Sequence, residues 1–166
     1  GYHVFSSGMK LTADLTVYAK YSATPLALLQ YPDENGLMMT KGDSTAPVAS
    51  CDNYDSYYYF PYSCPVYLYD GNKVLTSGTK VKENLTLKDT LVDYVVFDDE
   101  DSTEVVAYAL NADSTVSFPS VPATRGNLPF IGWVYMSDMV TLLSPGTKLT
   151  FARPGPLTFS VRALYS

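Results

Sequence analysis

Alternation of apolar and polar positions marks two segments of the chain. Phe159, Val161, Ala163 and Tyr165 stand at every second position, opposite Ser160 and Arg162, and the same spacing runs through 15–21. A period of two is the pattern of a half-buried strand, because successive side chains point to opposite faces of a sheet. Strands are therefore predicted over 15–21 and 159–165.

Hairpin signals stand at two further places, each as two apolar runs separated by turn-forming or acidic residues. The predicted pairs are Leu26–Tyr31 with Leu37–Thr40, and Tyr94–Phe97 with Val105–Leu110. In the first pair, Asn35-Gly36 supplies the positive φ that a tight turn needs. One segment, Val134–Leu143, has apolar residues at helical spacing and predicts one or two helical turns. The expected fold class is mainly β, and α+β at most.

The sequence repeats itself at a shift of 70 residues. Residues 1–17 align without a gap on residues 71–87, and seven of these 17 pairs are identical. Farther along, Asp43-Ser44-Thr45 aligns with Asp113-Ser114-Thr115 in the same phase. Self-similarity at one fixed period is typical of repeat architectures, in which each repeat is one structural unit.

A third copy of the Gly-x-Lys block follows at Gly146-Thr147-Lys148, a few residues out of phase. The predicted domains are the C-terminal part of a truncated repeat (1–22), a divergent repeat module (23–92) and a second full module (93–166). Because the first residue is Gly1 and not Met, a processed product or a fragment is expected. About 70 residues with four or five short strands suit a β-grasp arrangement. Tandem small β-grasp-like modules are therefore expected.

Residues 122–135 carry a recognisable signature. They read Pro-Ala-Thr-Arg-Gly-Asn-Leu-Pro-Phe-Ile-Gly-Trp-Val-Tyr. With Gly146-Thr147-Lys148-Leu149 and the closing strand, this resembles the internalin-B B-repeat family (the Listeria–Bacteroides repeat). Members of that family read Pro-x-Arg-x-Gly-Tyr-x-Phe-x-Gly-Trp-Tyr and close on Leu-Thr-Leu-Tyr-Ala-Lys-Trp. Leu15-Thr16-Val17-Tyr18-Ala19-Lys20-Tyr21 is similar to that closing motif.

The resemblance covers most of 93–166 and all of 1–22, whereas 23–92 lacks the Gly-Trp pair. It implies a small β-grasp-like module of long surface proteins, which serves as a spacer, an adhesive or a self-associating unit. It implies no catalytic residues.

Composition narrows the classes of function. The formal net charge is −6 and the Lys and Arg residues form no cluster. Because nucleic-acid binding needs a basic stripe, no nucleic-acid partner is expected. The chain has no run of 18 apolar residues, so no membrane insertion is expected.

No group of titratable residues in the sequence suits catalysis. His3 is the one histidine, and a Ser-His-Asp site needs a base that a third group orients. Cys51 and Cys64 lack the further ligands that zinc requires. They fit either a disulfide, which would stabilise the fold by roughly 3 kcal/mol, or two buried thiols. No enzyme activity, cofactor or metal is expected.

The acidic run 98–101 offers oxygen ligands to calcium but lacks the spacing of a calcium-binding loop. A solvated hairpin tip is therefore the favoured interpretation.

Aromatic residues give the candidates for a contact surface. Trp133 is expected to be a buried anchor, and a sugar-stacking platform is the alternative. Seven tyrosines lie within 16 residues: Tyr54, Tyr57, Tyr58, Tyr59, Tyr62, Tyr67 and Tyr69. Tyrosine is favoured at recognition surfaces, so a protein or glycan contact is predicted there. The alternative is that these tyrosines cover both faces of ordinary strands.

These observations predict a non-enzymatic structural or interaction module of an extracellular or particle-surface assembly. The favoured setting is the bacterial cell surface, as an adhesin stalk repeat. A virus or phage virion protein, such as a capsid decoration or fibre module, is the alternative, and a carbohydrate-binding module is a further one. The expected partners are proteins (copies of itself or neighbouring subunits) or a glycan. Residues 1–22 are predicted to complete a sheet with another segment or subunit, because open strand edges are sticky.

Overall fold

The computed structural model describes residues 2–4, 13–14, 16–19, 21–32, 36–43, 66–99, 105–150 and 158–166. Within these ranges the chain forms thirteen strands and no helix, so the prediction of a mainly β fold is confirmed. The strands are β1 (Tyr2–Val4), β2 (Leu26–Gln30), β3 (Gly36–Thr40), β4 (Val66–Tyr69), β5 (Lys73–Val74), β6 (Leu85–Thr86), β7 (Lys88–Thr90), β8 (Tyr94–Asp98), β9 (Val106–Ala109), β10 (Thr124–Arg125), β11 (Leu128–Tyr135), β12 (Leu142–Leu143) and β13 (Thr158–Tyr165). A helix able to span a membrane is accordingly absent from the described residues.

Both predicted hairpins are formed, but Gly36 does not have the positive φ predicted for the first turn and is instead the first residue of β3. β2 pairs antiparallel with β3, with Leu28 opposite Met38. β8 pairs antiparallel with β9, with Val95 opposite Tyr108. Side chains alternate between the two faces of the sheet along β8: Val95 and Phe97 lie in the core, while Val96 between them faces the other side.

The first strand of each hairpin also pairs in parallel with a strand much later in the chain. β2 pairs with β6 at Leu29 and Leu85, and β8 pairs with β13 from Tyr94 and Thr158 onward. Strand β13 confirms the strand predicted over 159–165. Parallel neighbours require a long crossover, and each crossover here contains the intervening strands. We call residues 26–90 the first strand group and residues 94–165 the second.

The strands assemble into two mixed sheets. The smaller has the order β1-β3-β2-β6, and the larger has the order β10-β11-β13-β8-β9-β5-β4-β7, with β12 paired to β11. Residues 85–90 contribute to both, since β6 pairs with β2 and β7 pairs with β4. Between β6 and β7, the Leu87 N–H donates to the Gln30 carbonyl oxygen at 2.8 Å. The chain therefore passes from one sheet to the other while remaining hydrogen-bonded.

Three apolar clusters pack against these sheets. The first contains Ala27, Leu29, Tyr31, Leu75, Val81, Leu85 and Leu87. The second contains Val95, Phe97, Val116, Trp133, Leu143, Leu149 and Val161. The third contains Val66, Val74, Ala107 and Ala109. Val95 belongs to the second cluster while its neighbour Val96 packs against the third, so these two clusters lie on opposite faces of the larger sheet.

The helical turns predicted for Val134–Leu143 are not formed. Val134 lies in β11 and Leu142 in β12, and these two residues are opposite each other in an antiparallel pair. The apolar spacing that suggested a helix belongs instead to a hairpin whose two strands share one core, through Trp133 and Leu143. The prediction of a helix was wrong because periodicity alone cannot separate a short helix from a tight hairpin.

The strand predicted over 15–21 is also wrong where the structure describes it. Residues 16–19 and 21 belong to no strand, and Val17, Tyr18 and Tyr21 are exposed. Alternation yields a strand only where a partner strand and a core are available. The predicted pairing of the N-terminal segment with another part of the chain is confirmed for Tyr2–Val4, which pair with β3.

Candidate functional site

The Gly-x-Lys block that revealed the repeat forms a turn closed by an equivalent hydrogen bond in both strand groups. In the first group, the Thr79 N–H donates to the Thr76 carbonyl oxygen at 3.0 Å. In the second, the Thr147 N–H donates to the Ser144 carbonyl oxygen at 3.1 Å. Both bonds span three residues, and both lie at the same offset from the glycine, Gly78 or Gly146. The sequence repeat is therefore also a repeat of this hydrogen bond, although of the two glycines only Gly146 has a positive φ.

The residue that follows each turn is anchored in the same way. The Val81 N–H donates to the Asp43 carbonyl oxygen at 3.2 Å, and the Leu149 N–H donates to the Ser114 carbonyl oxygen at 2.9 Å. Val81 and Leu149 are both buried. Asp43 and Ser114 lie in the Asp-Ser-Thr segments that align at the shift of 70. In each strand group, one backbone hydrogen bond thus connects the residue after the turn to the Asp-Ser-Thr segment.

The strand before each turn gives a register for comparing the two groups. Val74 lies four residues before Gly78 and is opposite Leu68. Leu142 lies four residues before Gly146 and is opposite Val134. Strands β5 and β12 are therefore equivalent, and so are Val74 and Leu142.

Strand β5 joins the two groups into one sheet. Lys73 is opposite Tyr108 of β9 in an antiparallel pair, and the Ala109 N–H donates to the Asn72 carbonyl oxygen at 2.8 Å. On this side of the sheet Val74 is only 1% exposed. Strand β5, the second strand of the β4–β5 hairpin, therefore pairs directly with β9 at the edge of the second strand group.

A dedicated apolar cluster lies beneath this junction. Val66 and Val74 from the first group pack with Ala107 and Ala109 from the second. Leu68, Val92, Tyr94 and Val96 contact the cluster from its margin. Alanine side chains leave room for the valines of the facing strands, and burying an apolar side chain stabilises a fold by about 1.5–3 kcal/mol. The junction thus has its own core in addition to backbone pairing.

A second junction of the same kind lies at the N-terminal end. β1 pairs antiparallel with β3, with His3 opposite Leu37. The shift of 70 aligns His3 with Lys73 of β5, and β3 is the second strand of its hairpin as β9 is of the other. In both places, then, a short strand at the start of a Gly-x-Lys block pairs with the outer strand of the next hairpin.

Strand β12, the third member of this set, has an open edge. Within the described part of the chain β12 pairs with β11 alone. Leu142 is 46% exposed and Val140 is 78% exposed, and Met136, Met139 and Ile131 are also exposed. The exposed apolar residues of the second group are therefore concentrated at the hairpin that β11 and β12 form.

The backbone of β12 presents hydrogen-bonding groups on its open side. The Tyr135 N–H donates to the Thr141 carbonyl oxygen at 2.9 Å, which makes Tyr135 and Thr141 a hydrogen-bonded pair. Pairs alternate along an antiparallel ladder, so the next pair, Val134 with Leu142, is of the other type. The N–H and carbonyl of Leu142 consequently point away from β11.

An aspartate closes the turn between β11 and β12. Asp138 accepts hydrogen bonds from the Val140 N–H at 2.9 Å, the Thr141 N–H at 3.0 Å and the Thr141 hydroxyl at 2.5 Å. These bonds, with that from the Thr141 hydroxyl the strongest, lower the pKa of the Asp138 carboxyl. Burial and, to a smaller extent, the charge of Asp138 raise the pKa of the Tyr135 hydroxyl. The turn is fixed by short polar contacts rather than by a helix.

Arg125, from the motif that resembles the B-repeat family, holds three segments together. Its guanidinium forms an ion pair with Asp99, and it lies 4.3 Å from the ring centroid of Tyr165. The Tyr165 hydroxyl donates to the Pro122 carbonyl oxygen at 3.2 Å. This cluster clamps the end of β8 to β10 and to the end of β13, so the Arg of the motif has a structural role.

The acidic end of the second hairpin is paired rather than solvated. Asp98 forms an ion pair with Arg162 at 3.1 Å, and Asp99 is engaged by Arg125. The expectation of a solvated tip is therefore wrong for these two residues; residues 100–101 lie outside the described ranges. Among the described residues, no group of three or more His, Cys, Asp and Glu could hold a metal ion.

Trp133 is a buried anchor. It is 3% exposed, and its ring packs edge-on against Phe97 at 4.9 Å and against Phe130 at 5.9 Å between centroids. An indole enclosed in this way has no free face on which a sugar could stack. The neighbouring Gly132 makes room for the Leu142 side chain, because a Cβ on residue 132 would lie only 2.9 Å from Cδ2 of Leu142.

Two of the seven candidate tyrosines lie in the described residues. Tyr67 and Tyr69 belong to β4 and pack against the first cluster. Tyr67 meets Tyr31 edge-on at 5.0 Å, and the Lys73 ammonium lies 5.6 Å from the Tyr69 ring centroid. Tyr54, Tyr57, Tyr58, Tyr59 and Tyr62 lie outside the described residues, as do Cys51 and Cys64. The structure therefore assigns Tyr67 and Tyr69 to packing, and the predicted contact surface and disulfide stay predictions.

Local sequence patterns did not reveal the junction. Val74, Ala107 and Ala109 form no recognisable motif in the sequence, and they come into contact only because β5 pairs with β9. The shift of 70 was the one available signal, because it aligned β5 with β1.

Comparisons with models of known protein families, with curated proteins and with solved structures found no match to this chain.

Proposed function

We propose that the protein is a non-enzymatic structural or interaction protein, a row of β-grasp-like modules that serves as a stalk or spacer in a bacterial surface adhesin. The observation that carries the proposal is the strand-to-strand junction between β5 and β9, with its own buried cluster. A junction of this kind fixes the position of one module on the next.

The interpretation as modules is supported by the pairing scheme that the two strand groups share. In each, a hairpin is followed by a second hairpin, and a closing strand then returns parallel to the first strand of the group. The closing segment is in both cases antiparallel to the first strand of the second hairpin, β4 or β11. A central parallel pair flanked by antiparallel strands is the arrangement that we identify as β-grasp-like.

The boundaries that fit this proposal are 1–22, 23–92 and 93–166, with β1 as the remaining strand of the truncated first repeat. The equivalence of β1–β3 with β5–β9 supports this assignment. In repeat proteins, each unit contacts its neighbours and draws part of its stability from those interfaces.

The bacterial surface setting is supported by the resemblance of residues 122–135 and 15–21 to the B-repeat family. Arg125 and Trp133, which stand at the matching motif positions, are committed to an ion pair and to the core. Conserving such positions across a family would therefore preserve the module itself rather than a binding site.

Solution scattering with mass determination on the intact chain, over a concentration series, tests the proposal. We expect a monomer at all concentrations, with a fixed maximum dimension and no change in melting temperature on addition of glycans. Val74→Asp is the matched variant, because a charge beneath the junction should loosen it and increase the radius of gyration.

Two outcomes would contradict the stalk proposal. Concentration-dependent assembly into closed or fibrous particles would favour a virion component. A glycan that raises the melting temperature in a saturable way would favour a carbohydrate-binding module.

A further inference from the structure

We infer that the open edge of β12 is a docking edge for the outer hairpin strand of a further module of the same kind. The inference rests on the proposed function, and it names the partner that the edge accepts: an antiparallel strand equivalent to β9, not a small molecule or a peptide of arbitrary sequence.

The first argument is the contrast between equivalent positions. Val74 in β5 is 1% exposed because β9 pairs alongside, whereas Leu142 in β12 is 46% exposed. Val140 stands six residues before Gly146, as Asn72 stands six before Gly78. The Asn72 carbonyl accepts a hydrogen bond from β9, and the Val140 carbonyl is the group that would accept the corresponding bond.

The second argument is that strands of this type are paired wherever the chain contains a neighbour. β1 pairs with β3, and β5 pairs with β9, each antiparallel and each at the outer strand of a hairpin. β12 is the third strand of the set, and its N–H and carbonyl at Leu142 point to the open side. An open edge that also carries exposed apolar side chains is costly to leave unpaired.

The third argument is the shape of the apolar surface. At the β5 junction, Val66 and Val74 face Ala107 and Ala109. At β12, Gly132 and Leu142 are in close contact, since a Cβ on Gly132 would lie 2.9 Å from Leu142 Cδ2. Gly132 and Leu142 thus stand at β12 where Val66 and Val74 stand at the β5 junction. A partner strand with small side chains at alternate positions, as in β9, fits this surface.

A second copy of this same chain is not the occupant that the pairing favours. Among the residues that the structure describes, its two strands of the required type, β3 and β9, are already paired with β1 and β5. Docking of a second copy would have to displace one of those pairs. A module with an uncovered hairpin edge meets no such competition.

The test uses the full chain, 1–166, extended at its C-terminus by a second copy of residues 91–166, which begins with the natural linker 91–93. Amide hydrogen exchange is measured at Leu142 of the first copy in the 166-residue chain and in the extended chain. We expect exchange at Leu142 to slow by at least about tenfold in the extended chain, because the appended strand would close the edge.

The control is the same extension carrying Ala107→Asp and Ala109→Asp in the appended copy, which should restore fast exchange at Leu142. Equal exchange at Leu142 in all three proteins would overturn the inference. So would protection of Leu142 that appears in the 166-residue chain only as its concentration rises, because the edge would then take a second copy.

The Ala109 amide separates this inference from the proposed function. It is bonded to Asn72 within the 166-residue chain. If Ala109 is protected while Leu142 stays unprotected in the extended chain, only the docking inference fails. If Ala109 is itself unprotected, the junction does not form and the proposed function fails with it.

Discussion

Val74 and Leu142 hold the same position in two strand groups, and they differ in what lies beside them. Each is four residues before the glycine of its turn, and each is opposite an apolar residue of the preceding strand. Val74 is enclosed by Ala107 and Ala109 of β9, whereas Leu142 faces solvent. Comparing substitutions at Val74 and Leu142 therefore separates the stability that the β5–β9 junction contributes from the stability that the hairpin contributes.

Aspartate at these two positions should therefore have opposite consequences. Val74→Asp buries an unpaired charge in the junction cluster and should lower the free energy of unfolding by about 3 kcal/mol or more. Leu142→Asp places the charge in water and should change it by less than about 1 kcal/mol. Urea denaturation of both variants measures the difference. Similar losses for the two variants would mean that β5 gains nothing from β9.

Truncation of the one tryptophan should damage the second core severely. Trp133 packs edge-on against Phe97 and Phe130 and is almost fully buried. We expect Trp133→Ala to lower the free energy of unfolding by about 3–5 kcal/mol, and Trp133→Phe to lower it much less. Far-UV circular dichroism during urea denaturation follows both, since these variants lack the fluorophore. A loss below about 1 kcal/mol for the alanine variant would place the indole outside the core.

The Arg125 cluster should depend on the planar guanidinium and not only on charge. Arg125 pairs with Asp99 and stacks on Tyr165. Because both groups of the ion pair retain some exposure, we expect Arg125→Ala to cost only about 1 kcal/mol. Arg125→Lys should recover less than half of that loss, because lysine has no planar guanidinium to stack on Tyr165. A double-mutant cycle with Asp99→Asn measures the coupling, and zero coupling would show that the pair adds no stability.

Asp138 should make the β11–β12 hairpin sensitive to acid. Its pKa is lowered in the folded state by the hydrogen bonds from Thr141 and Val140. A lowered carboxyl pKa means that the stabilisation is complete above the unfolded value of about 3.9 and is lost as the pH falls through the folded value. Asp138→Ala should therefore be less stable than the parent at pH 7, and the gap should narrow below about pH 4. Melting curves from pH 2 to pH 7 follow that gap, and a constant gap would exclude the carboxylate as its source.

The elements whose signals are local could be predicted from the sequence. The hairpin at Leu26–Tyr31 and Leu37–Thr40 had two apolar runs with turn-forming residues between them, and the closing strand at 159–165 had an apolar residue at every second position. In both cases the residues that alternate are also those that the core needs, so propensity and packing agree. These elements are present at the predicted places.

The elements that depend on distant partners could not be predicted. Residues 15–21 alternate as clearly as 159–165, but Val17 and Tyr18 have no core to enter and stay exposed. Met136, Met139 and Val140 have helical spacing, but the carboxylate of Asp138 closes a hairpin there. Local patterns set preferences of a fraction of a kcal/mol per residue, and tertiary pairing overrides them.

The candidate site was visible in the sequence only as a repeat. The shift of 70 identified β1 and β5 as equivalent strands before any pairing was known. It could not show that each pairs with the next hairpin, because the partner residues, such as Ala107 and Ala109, carry no signal of their own. The contact is set by register between strands about 35 residues apart, and that register depends on how the chain between them folds.

The pairing of β5 with β9 is tested most directly by amide hydrogen exchange on the intact chain. The Ala109 N–H is bonded to the Asn72 carbonyl oxygen at 2.8 Å, and the Leu142 N–H lies on an open edge. Tandem modules joined strand to strand predict slow exchange at Ala109, close to the rate set by global unfolding, and fast exchange at Leu142. Exchange at Ala109 as fast as at Leu142 would mean that the two strand groups share no sheet, and would contradict the proposal.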